Sequence, residues 1–289
     1  MKKRLLSFLF SMALLVLFVP AALAVPQAQA DTTSAEVSTW SALCEALQVD
    51  GNSIVLADDV KFGEGAGDHA SAVLTVPAGT TVTLDLAGHV VDRGLTSAVA
   101  DGSVFDVSGT LIITDSSPNA THEEPITYTD PNDAENTTTV TGGVITGGYA
   151  LAHRISSGTN YAGGGVLVRD GARLVMTGGA ICNNRAEVGE GSGNGGGGGV
   201  AVMSGGALDM SGNSRICGNV SNRDGGGVFM YSGTLAMAGD AKICANAADD
   251  AGGQYGHGGG ACAHGSVVTM TGNAAIANNK ADGYGGGLQ

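Results

Sequence analysis

The stretch that decides the fold begins with Gly163-Gly164-Gly165-Val166-Leu167-Val168, continues with Leu174-Val175-Met176 and ends with Ile181-Cys182-Asn183-Asn184. The same three elements return in the same order three more times, and a fifth copy begins at Gly285. The copies start 34, 28, 33 and 27 residues apart, and nearly all of the variation falls after the Ile-x-x-Asn element. A constant core with one variable loop per copy is typical of a solenoid, in which each repeat contacts only its neighbours.

Each repeat is built from short strands. Apolar residues alternate along Val166–Val168 and Leu174–Met176, which is the period of a strand with one buried face. Parallel stacking of equivalent strands about 4.8 Å apart predicts columns of like residues. The predicted columns are an aliphatic column (Val166, Val200, Val228, Ala261, Leu288), a methionine column (Met176, Met210, Met237, Met270), an isoleucine column (Ile181, Ile216, Ile243, Ile276) and a ladder of corner asparagines (Asn184, Asn219, Asn246, Asn279). We expect the ladder asparagines to adopt an unusual backbone angle and to hydrogen-bond one another.

The region before residue 160 is interpreted as the start of the same solenoid, with early coils over 53–147. Ser38 to Leu47 carries the one amphipathic helical pattern outside the leader, with Trp40, Leu43 and Leu47 on one face, and is predicted to cap the first coil. Segment 115–138 is polar and contains three prolines, which predicts a long excursion from one coil.

Residues 1–30 have the pattern of a secretory signal peptide. Three basic residues precede a 15-residue apolar run from Leu5 to Val19, and small residues offer cleavage after Ala24 or Ala30. An uncleaved membrane anchor is the alternative, although the run is short for a span of about 20 residues. We expect cleavage, a secreted or cell-surface location, a domain over 31–289, and no transmembrane segment in the mature chain.

The amino-acid composition excludes several classes of protein. The chain has 13 basic and 27 acidic residues, a net charge of −14, and the remainder after the leader would carry 10 and 27, a net −17. Nucleic-acid binding needs a basic surface that replaces phosphate counterions, so no nucleic-acid partner is expected. Glycine makes up 49 of 289 residues without a collagen period, and 43% apolar residues argue against disorder.

The repeats resemble a known class. The Gly-Gly-Gly-Val element followed by Ile-x-x-Asn is similar to the repeats of polymorphic outer membrane proteins and to Gly-rich repeats of bacterial surface proteins in the pectate-lyase-like superfamily. The lead-ins Thr83–His89 and Leu111–Ser116 resemble early coils of such proteins. The resemblance implies an all-β fold, a right-handed single-stranded parallel β-helix with a short N-terminal capping helix. The Gly-rich repeats occupy 163–289, and because the chain stops one strand into a coil we expect a piece of a longer surface protein.

Candidate site residues are few. Tyr231 and His264 fall at equivalent positions of neighbouring coils, where an aromatic pair could contact sugar, and Arg215 and Lys242 form a small basic spot one coil apart. The resemblance also implies enzymes that cleave acidic polysaccharides, for which the candidate bases are Arg154, Arg169, Arg173, Arg215 and Lys242. Equivalent strand positions hold no pair of acids for a glycosidase, so no catalytic residue is assigned.

Metal and redox chemistry are not indicated strongly. The cysteines lack zinc-finger spacing and no metal site is assigned, although calcium is possible in the acidic loops at Glu187/Glu190 and Asp249/Asp250. Cys182, Cys217 and Cys244 share one repeat position. They could form either a ladder of free thiols or one inter-coil disulfide.

The sequence therefore predicts a secreted or cell-surface β-helix repeat protein, an adhesin-like binding or structural module. Its expected partner is an extracellular polysaccharide or a host surface glycan or protein. The alternative is a polysaccharide lyase or glycoside hydrolase on the same fold, because fold alone does not decide function.

Overall fold

The chain forms a solenoid of stacked parallel strands. The structure is a computed structural model that describes residues 34–63, 73–152, 162–189, 195–249 and 256–289, with the backbone of 154–155 and 158–159. The leader at 1–30 lies outside the described residues. In each Gly-rich repeat the chain visits four parallel sheets in turn, here called sheets 3, 1, 2 and 4, before it enters the next coil.

Sheets 1 and 2 contain the Leu-x-Met and Ile-x-x-Asn elements of the repeats. The strands of sheet 1 are Ala35–Val37, Ser53–Leu56, Thr81–Asp85, Thr110–Thr114, Arg173–Met176, Ala207–Met210, Thr234–Met237 and Val267–Met270. The strands of sheet 2 are Val60–Lys61, Val90–Asp92, Val144–Thr146, Ala180–Cys182, Arg215–Cys217, Lys242–Cys244 and Ala275–Ala277.

Sheets 3 and 4 lie on either side of the variable loop. The strands of sheet 3 are Leu74–Val76, Phe105–Val107, Val166–Val168, Val200–Val202, Val228–Tyr231 and Ala261–His264. The strands of sheet 4 are Tyr149–Ala152, Arg185–Val188, Val220–Ser221, Ala247–Ala248 and Lys280–Ala281. Sheet 4 was not foreseen, because its strands are short and follow the corner asparagine, where the repeat lengths begin to differ.

The predicted columns are confirmed in register. Val166 pairs with Val200, Met176 with Met210, and Ile181 with Ile216, and the pairing continues through the later coils. Most of these side chains, with Leu174, Leu208 and Leu235, are buried in one continuous core. Burial of apolar side chains is worth about 1.5–3 kcal/mol each, so the interior columns are the main stabilising element of the coil stack.

The asparagine ladder is also confirmed. The backbone N–H of each ladder asparagine donates to Oδ1 of the next one at 2.9 Å: Asn184 to Asn219, Asn219 to Asn246, and Asn246 to Asn279. The side-chain amide of Asn219 in turn donates to the Ile181 and Cys217 carbonyls and to Asn246 Oδ1. Asn184, Asn219 and Asn246 are fully buried, so the ladder satisfies backbone groups at a corner that water cannot reach.

The unusual backbone angle lies one residue earlier than predicted. The residues with positive φ are Asn183 (56°), Gly218 (66°), Ala245 (54°) and Asn278 (56°), whereas the ladder asparagines follow them. The left-handed residue turns the chain from sheet 2 toward sheet 4, and the next side chain faces inward, where its amide bonds to the neighbouring coil.

The glycine triplets are required by the same corner. A Cβ atom on Gly165 would lie 2.6 Å from Ile181 Cγ2 and 3.0 Å from Asn184 Nδ2, and a Cβ on Gly198 would lie 2.3 Å from the Gly226 carbonyl oxygen. Equivalent glycines meet the equivalent Ile and Asn in the next coils. The Gly-Gly-Gly and Ile-x-x-Asn elements therefore occur together because they pack on each other across the coil.

The predicted excursion is a hairpin that covers sheet 2. Thr127–Asp130 and Asp133–Thr139 pair antiparallel, and Asn183 Nδ2 donates to the Thr127 carbonyl at 2.9 Å. Tyr128 packs against Cys182, Cys217 and Cys244, the outward column of sheet 2. A second small hairpin joins Arg154–Ile155 to Gly158–Thr159.

The predicted N-terminal helix is present. The α-helix spans Trp40–Ala46, and Thr39 Oγ1 accepts a hydrogen bond from the Ala42 N–H at its start. Trp40 and Leu43 are buried against the core. In the part of the chain that the structure describes, no helix has the length and apolar character needed to cross a bilayer.

Asn219→Ala tests the ladder. The substitution removes the acceptor of the buried Asn184 N–H and one donor to each of the Ile181 and Cys217 carbonyls. We therefore expect the free energy of unfolding to fall by about 3 kcal/mol. Urea denaturation followed by circular dichroism measures it. Asn213→Ala, in an exposed turn of the same coil, is the control and should cost less than about 0.5 kcal/mol; equal losses for both variants would contradict a structural role for the ladder.

Ala245→Gly tests the corner geometry. Ala245 has φ of 54°, a conformation that costs an L-residue about 1–2 kcal/mol and glycine almost nothing. We expect the variant to raise the free energy of unfolding by about 1 kcal/mol. Ala236→Gly, at an exposed strand position of the same coil, should lower it, and a destabilising Ala245→Gly would show that the corner is not strained.

Candidate functional site

The outer face of sheet 3 carries two columns of outward side chains. The first column contains Asp106, Leu167, Ala201, Phe229 and Cys262, which pair in register from coil to coil. The second column lies two residues further along each chain and contains Ser108, Arg169, Met203, Tyr231 and His264. Leu167, Ala201, Met203, Phe229 and Cys262 form a buried apolar cluster outside the main core.

A groove of about 680 Å³ runs over this face. Leu167, Met203 and Tyr231 line it from sheet 3, and residues 100, 101, 103, 150, 151 and 162 line it from other parts of the coils. Serine hydroxyls of Ser103, Ser108 and Ser204 also line it. Because its residues come from successive coils, the groove extends across the coil stack.

The groove has a built ion pair at its base. Arg169 Nε and Nη2 donate to the two carboxylate oxygens of Asp106 at 2.8 and 2.6 Å, a bidentate geometry that fixes both side chains. The hydrogen bonds that Arg169 donates to Asp106 raise the pKa of the Arg169 guanidinium. Arg169 is therefore a fixed cation that can donate hydrogen bonds, and a poor proton acceptor. Asp101 and Asp170 line the same groove.

The other candidate bases from the sequence are engaged elsewhere or face solvent. Arg173 pairs with Asp209 at 2.6 Å on the outer face of sheet 1. Arg215 donates from Nη2 to the Thr141 carbonyl at 2.8 Å and so ties the excursion to sheet 2. Lys242 is exposed beside Arg215, and the side chain of Arg154 lies outside the described residues.

The sequence-predicted site residues divide between two faces. Tyr231 and His264 are adjacent in sheet 3 as predicted, and Tyr231 is 45% exposed. Arg215 and Lys242 are adjacent in sheet 2, on a different face of the coil. The structure thus brings each pair together and does not join the two pairs in one site.

A second cluster on this face contains Asp224, Cys262 and His264. Cys262 Sγ is 3.3 Å from His264 Nε2, and Asp224 Oδ2 is 3.8 Å from the same nitrogen. The potential ligand atoms of Asp224, Cys262 and His264 all lie within 4.8 Å of one another. Asp224 is buried in the turn before Gly225 and accepts a hydrogen bond from the His257 N–H at 3.2 Å. The rings of Phe229 and His264 are 5.5 Å apart.

This cluster does not have the geometry of a nucleophilic triad. In a triad the histidine uses one ring nitrogen for the nucleophile and the other for the carboxylate, whereas Cys262 and Asp224 both face His264 Nε2. Burial, and then the charge of Asp224, raise the pKa of the Cys262 thiol to about 12, so it is not a ready thiolate. Burial also raises the pKa of Asp224.

Sequence reasoning missed this cluster because it compared cysteine spacings along the chain. Cys262 and His264 are two residues apart on one strand and therefore point to the same face. Asp224 stands at the position before the glycine triplet, where the other coils carry Ala162, Gly196, His257 and Tyr284. One pattern in the sequence could have revealed it. An acid stands before the glycine triplet of one coil, and the next coil carries Cys and His at outward positions of its sheet 3 strand.

The acidic loops considered for calcium are only partly described. Glu187 accepts a hydrogen bond from the Tyr149 hydroxyl at 3.0 Å. Glu190 and Asp250 lie outside the described residues, so the calcium hypothesis stays a prediction. All five cysteines are free thiols in this structure, in line with the thiol-ladder alternative.

Comparison of the chain with protein-family models, curated proteins and solved structures finds no match. The class of the protein is therefore defined by its architecture, a parallel β-solenoid of Gly-rich repeats.

Thiol reactivity tests the chemistry of the cluster. At pH 8 Cys262 should resist alkylation by iodoacetamide in the native chain, because its pKa of about 12 leaves almost no thiolate. Cys217 should also resist, since its thiol is buried beside Cys182 and its pKa is raised. Peptide mass spectrometry measures the labelling.

In denaturant without reductant, all five cysteines should react. Fast native labelling of Cys262 would indicate an activated nucleophile, and fewer than five thiols in denaturant would reveal a disulfide.

Proposed function

We propose that the chain is a secreted, cell-surface-associated β-helix of the right-handed, pectate-lyase-like kind, and that it binds a glycan chain in the groove over sheet 3. The observation that carries the proposal is the groove itself, which crosses successive coils and is bordered by the exposed ring of Tyr231 and the fixed guanidinium of Arg169. A groove lined by residues of successive coils suits an extended polymer better than a compact ligand.

The groove has the chemistry that sugars require. Serine hydroxyls and the Arg169 donors offer hydrogen bonds, and the Tyr231 ring offers an apolar face on which a sugar ring can stack. Asp101 and Asp170 line the groove, and the guanidinium of Arg169, which lines it as well, is already paired with Asp106. Since like charges repel, a neutral glycan fits better than an acidic polysaccharide.

The leader pattern, the repeats and the N-terminal helix support an extracellular module. The leader pattern at 1–30 favours export, and the resemblance of the repeats to bacterial surface proteins favours an adhesin-like role. The helix Trp40–Ala46 packs near the first strand of sheet 1 and near Leu74–Val76. We propose that it caps the first coil, because a covered edge cannot pair with another chain.

A polysaccharide lyase or hydrolase on the same fold is the alternative, favoured by the carboxylates that line the groove. Two observations weigh against it. The hydrogen bonds to Asp106 raise the pKa of Arg169, whereas an arginine that acts as a lyase base needs a lowered pKa. The other cationic candidates whose side chains are described lie outside the groove lining.

Co-sedimentation with insoluble polysaccharides tests the proposal. The purified chain is mixed with neutral and acidic bacterial, plant and mucin polysaccharides, with and without calcium, and the supernatant sugar is sized afterwards. We expect retention on at least one neutral polysaccharide. Tyr231→Ala should weaken retention about 5–10-fold, equivalent to about 1–1.4 kcal/mol, because it removes the stacking surface.

Tyr284→Ala is the matched control, since Tyr284 is 73% exposed and lies outside the groove lining. Equal weakening by both variants, or no retention on any neutral glycan, would contradict the proposal. Release of short oligosaccharides would favour the enzyme alternative.

A further inference from the structure

We infer that Asp224, Cys262 and His264 form a binding site for a divalent transition metal, with zinc the best match. The three side chains supply one oxygen, one sulfur and one nitrogen ligand. This inference stands apart from glycan binding, because it depends on a different set of side chains.

The distances fit a tetrahedral ion. With zinc–ligand bonds of 2.0–2.3 Å, tetrahedral coordination separates neighbouring ligand atoms by about 3.3–3.7 Å. The Cys262 Sγ to His264 Nε2 distance is 3.3 Å and the His264 Nε2 to Asp224 Oδ2 distance is 3.8 Å. Two of the three ligand pairs are therefore already near tetrahedral spacing, and all three ligand atoms lie within 4.8 Å of one another.

The chemistry of the donors selects the metal. Thiolate and imidazole are ligands of zinc and related transition ions, whereas calcium and magnesium prefer oxygen alone. Asp224 is 3% exposed in its side chain and its Oδ2 lies beyond hydrogen-bond distance of His264. A cation bound between these side chains would offset the cost of burying the carboxylate.

The surroundings orient the ligands. The His257 N–H holds Asp224 Oδ1 at 3.2 Å and so directs Oδ2 toward His264. The Phe229 ring lies against the His264 ring, and backbone pairing of Ala261–His264 with Val228–Tyr231 fixes the strand. Such supporting contacts typically accompany metal ligands in proteins.

The site keeps one side open. His264 is 36% exposed in its side chain while Asp224 and Cys262 are buried. Three protein ligands and one position open to water are the arrangement of reactive zinc sites, whereas structural sites are closed by four protein ligands. His264 is also the register partner of Tyr231, so a bound ion would lie beside the groove.

Metal titration of the purified full chain tests the inference. After chelator treatment, Zn²⁺ is titrated in competition with a chromophoric indicator, and Co²⁺ is titrated while the spectrum is recorded. We expect one equivalent to bind, and Co²⁺ to give the near-ultraviolet charge-transfer band of a cobalt–thiolate bond. Cys262→Ser should abolish that band, and His264→Ala should lower the affinity at least about 100-fold.

His89→Ala is the matched control, because His89 faces Asp59 at 3.6 Å outside the triplet, and it should bind Zn²⁺ like the parent chain. Asp224→Asn keeps the shape of the side chain and guards against misfolding of the other variants; circular dichroism should be unchanged while Zn²⁺ affinity falls about tenfold or more. The inference would be overturned if the parent chain did not bind Zn²⁺. It would also be overturned if Cys262→Ser, His264→Ala and Asp224→Asn all left Zn²⁺ binding unchanged.

Discussion

The corner at each buried asparagine is the constraint on which the rest of the solenoid depends. The chain turns there from sheet 2 to sheet 4 in a buried environment, so the backbone groups at the turn need partners inside the protein. Asn219 provides them for its own coil and for the coil below. Because the ladder side chain fills the corner, the chain opposite must come close without side chains, and Gly165 and its equivalents follow. The corner thereby also fixes the register in which every interior column stacks.

Most of the fold could be predicted because this constraint repeats. Four copies of Gly-Gly-Gly, Leu-x-Met and Ile-x-x-Asn give both the strand period and the register, and the Val, Met, Ile and Asn columns were assigned correctly from alignment of the repeats alone. The left-handed residue was assigned one position late, since Asn183 and Asn184 are both asparagines and only the second faces inward. Sheet 4 was missed because three of its strands, Val220–Ser221, Ala247–Ala248 and Lys280–Ala281, are two residues long and cannot display alternation.

The candidate site was only partly predictable, because the contacts that shape it do not repeat from coil to coil. Repetition says which positions are equivalent, and it brought Tyr231 to His264 and Arg215 to Lys242. It does not say what the loops and excursions cover. The hairpin at 127–139 covers sheet 2, and the Thr141 carbonyl just after it accepts a hydrogen bond from Arg215. Residues 100, 101, 103, 150 and 151 line a groove over sheet 3. Such covering contacts join residues far apart in sequence and carry no periodic signal.

The chemistry of the molecule therefore lies where the repeat is broken. At the position before the glycine triplet, Ala162 and Gly196 give way to Asp224, His257 and Tyr284. In the outward columns of sheet 3, Leu167 and Ala201 give way to Phe229 and Cys262. The interior columns stay aliphatic through the same coils, so the substitutions do not serve the core. A scaffold whose register is fixed by buried ladders can change outward residues at little cost in stability, and the coils at 224–264 are where polar, aromatic and thiol side chains have accumulated.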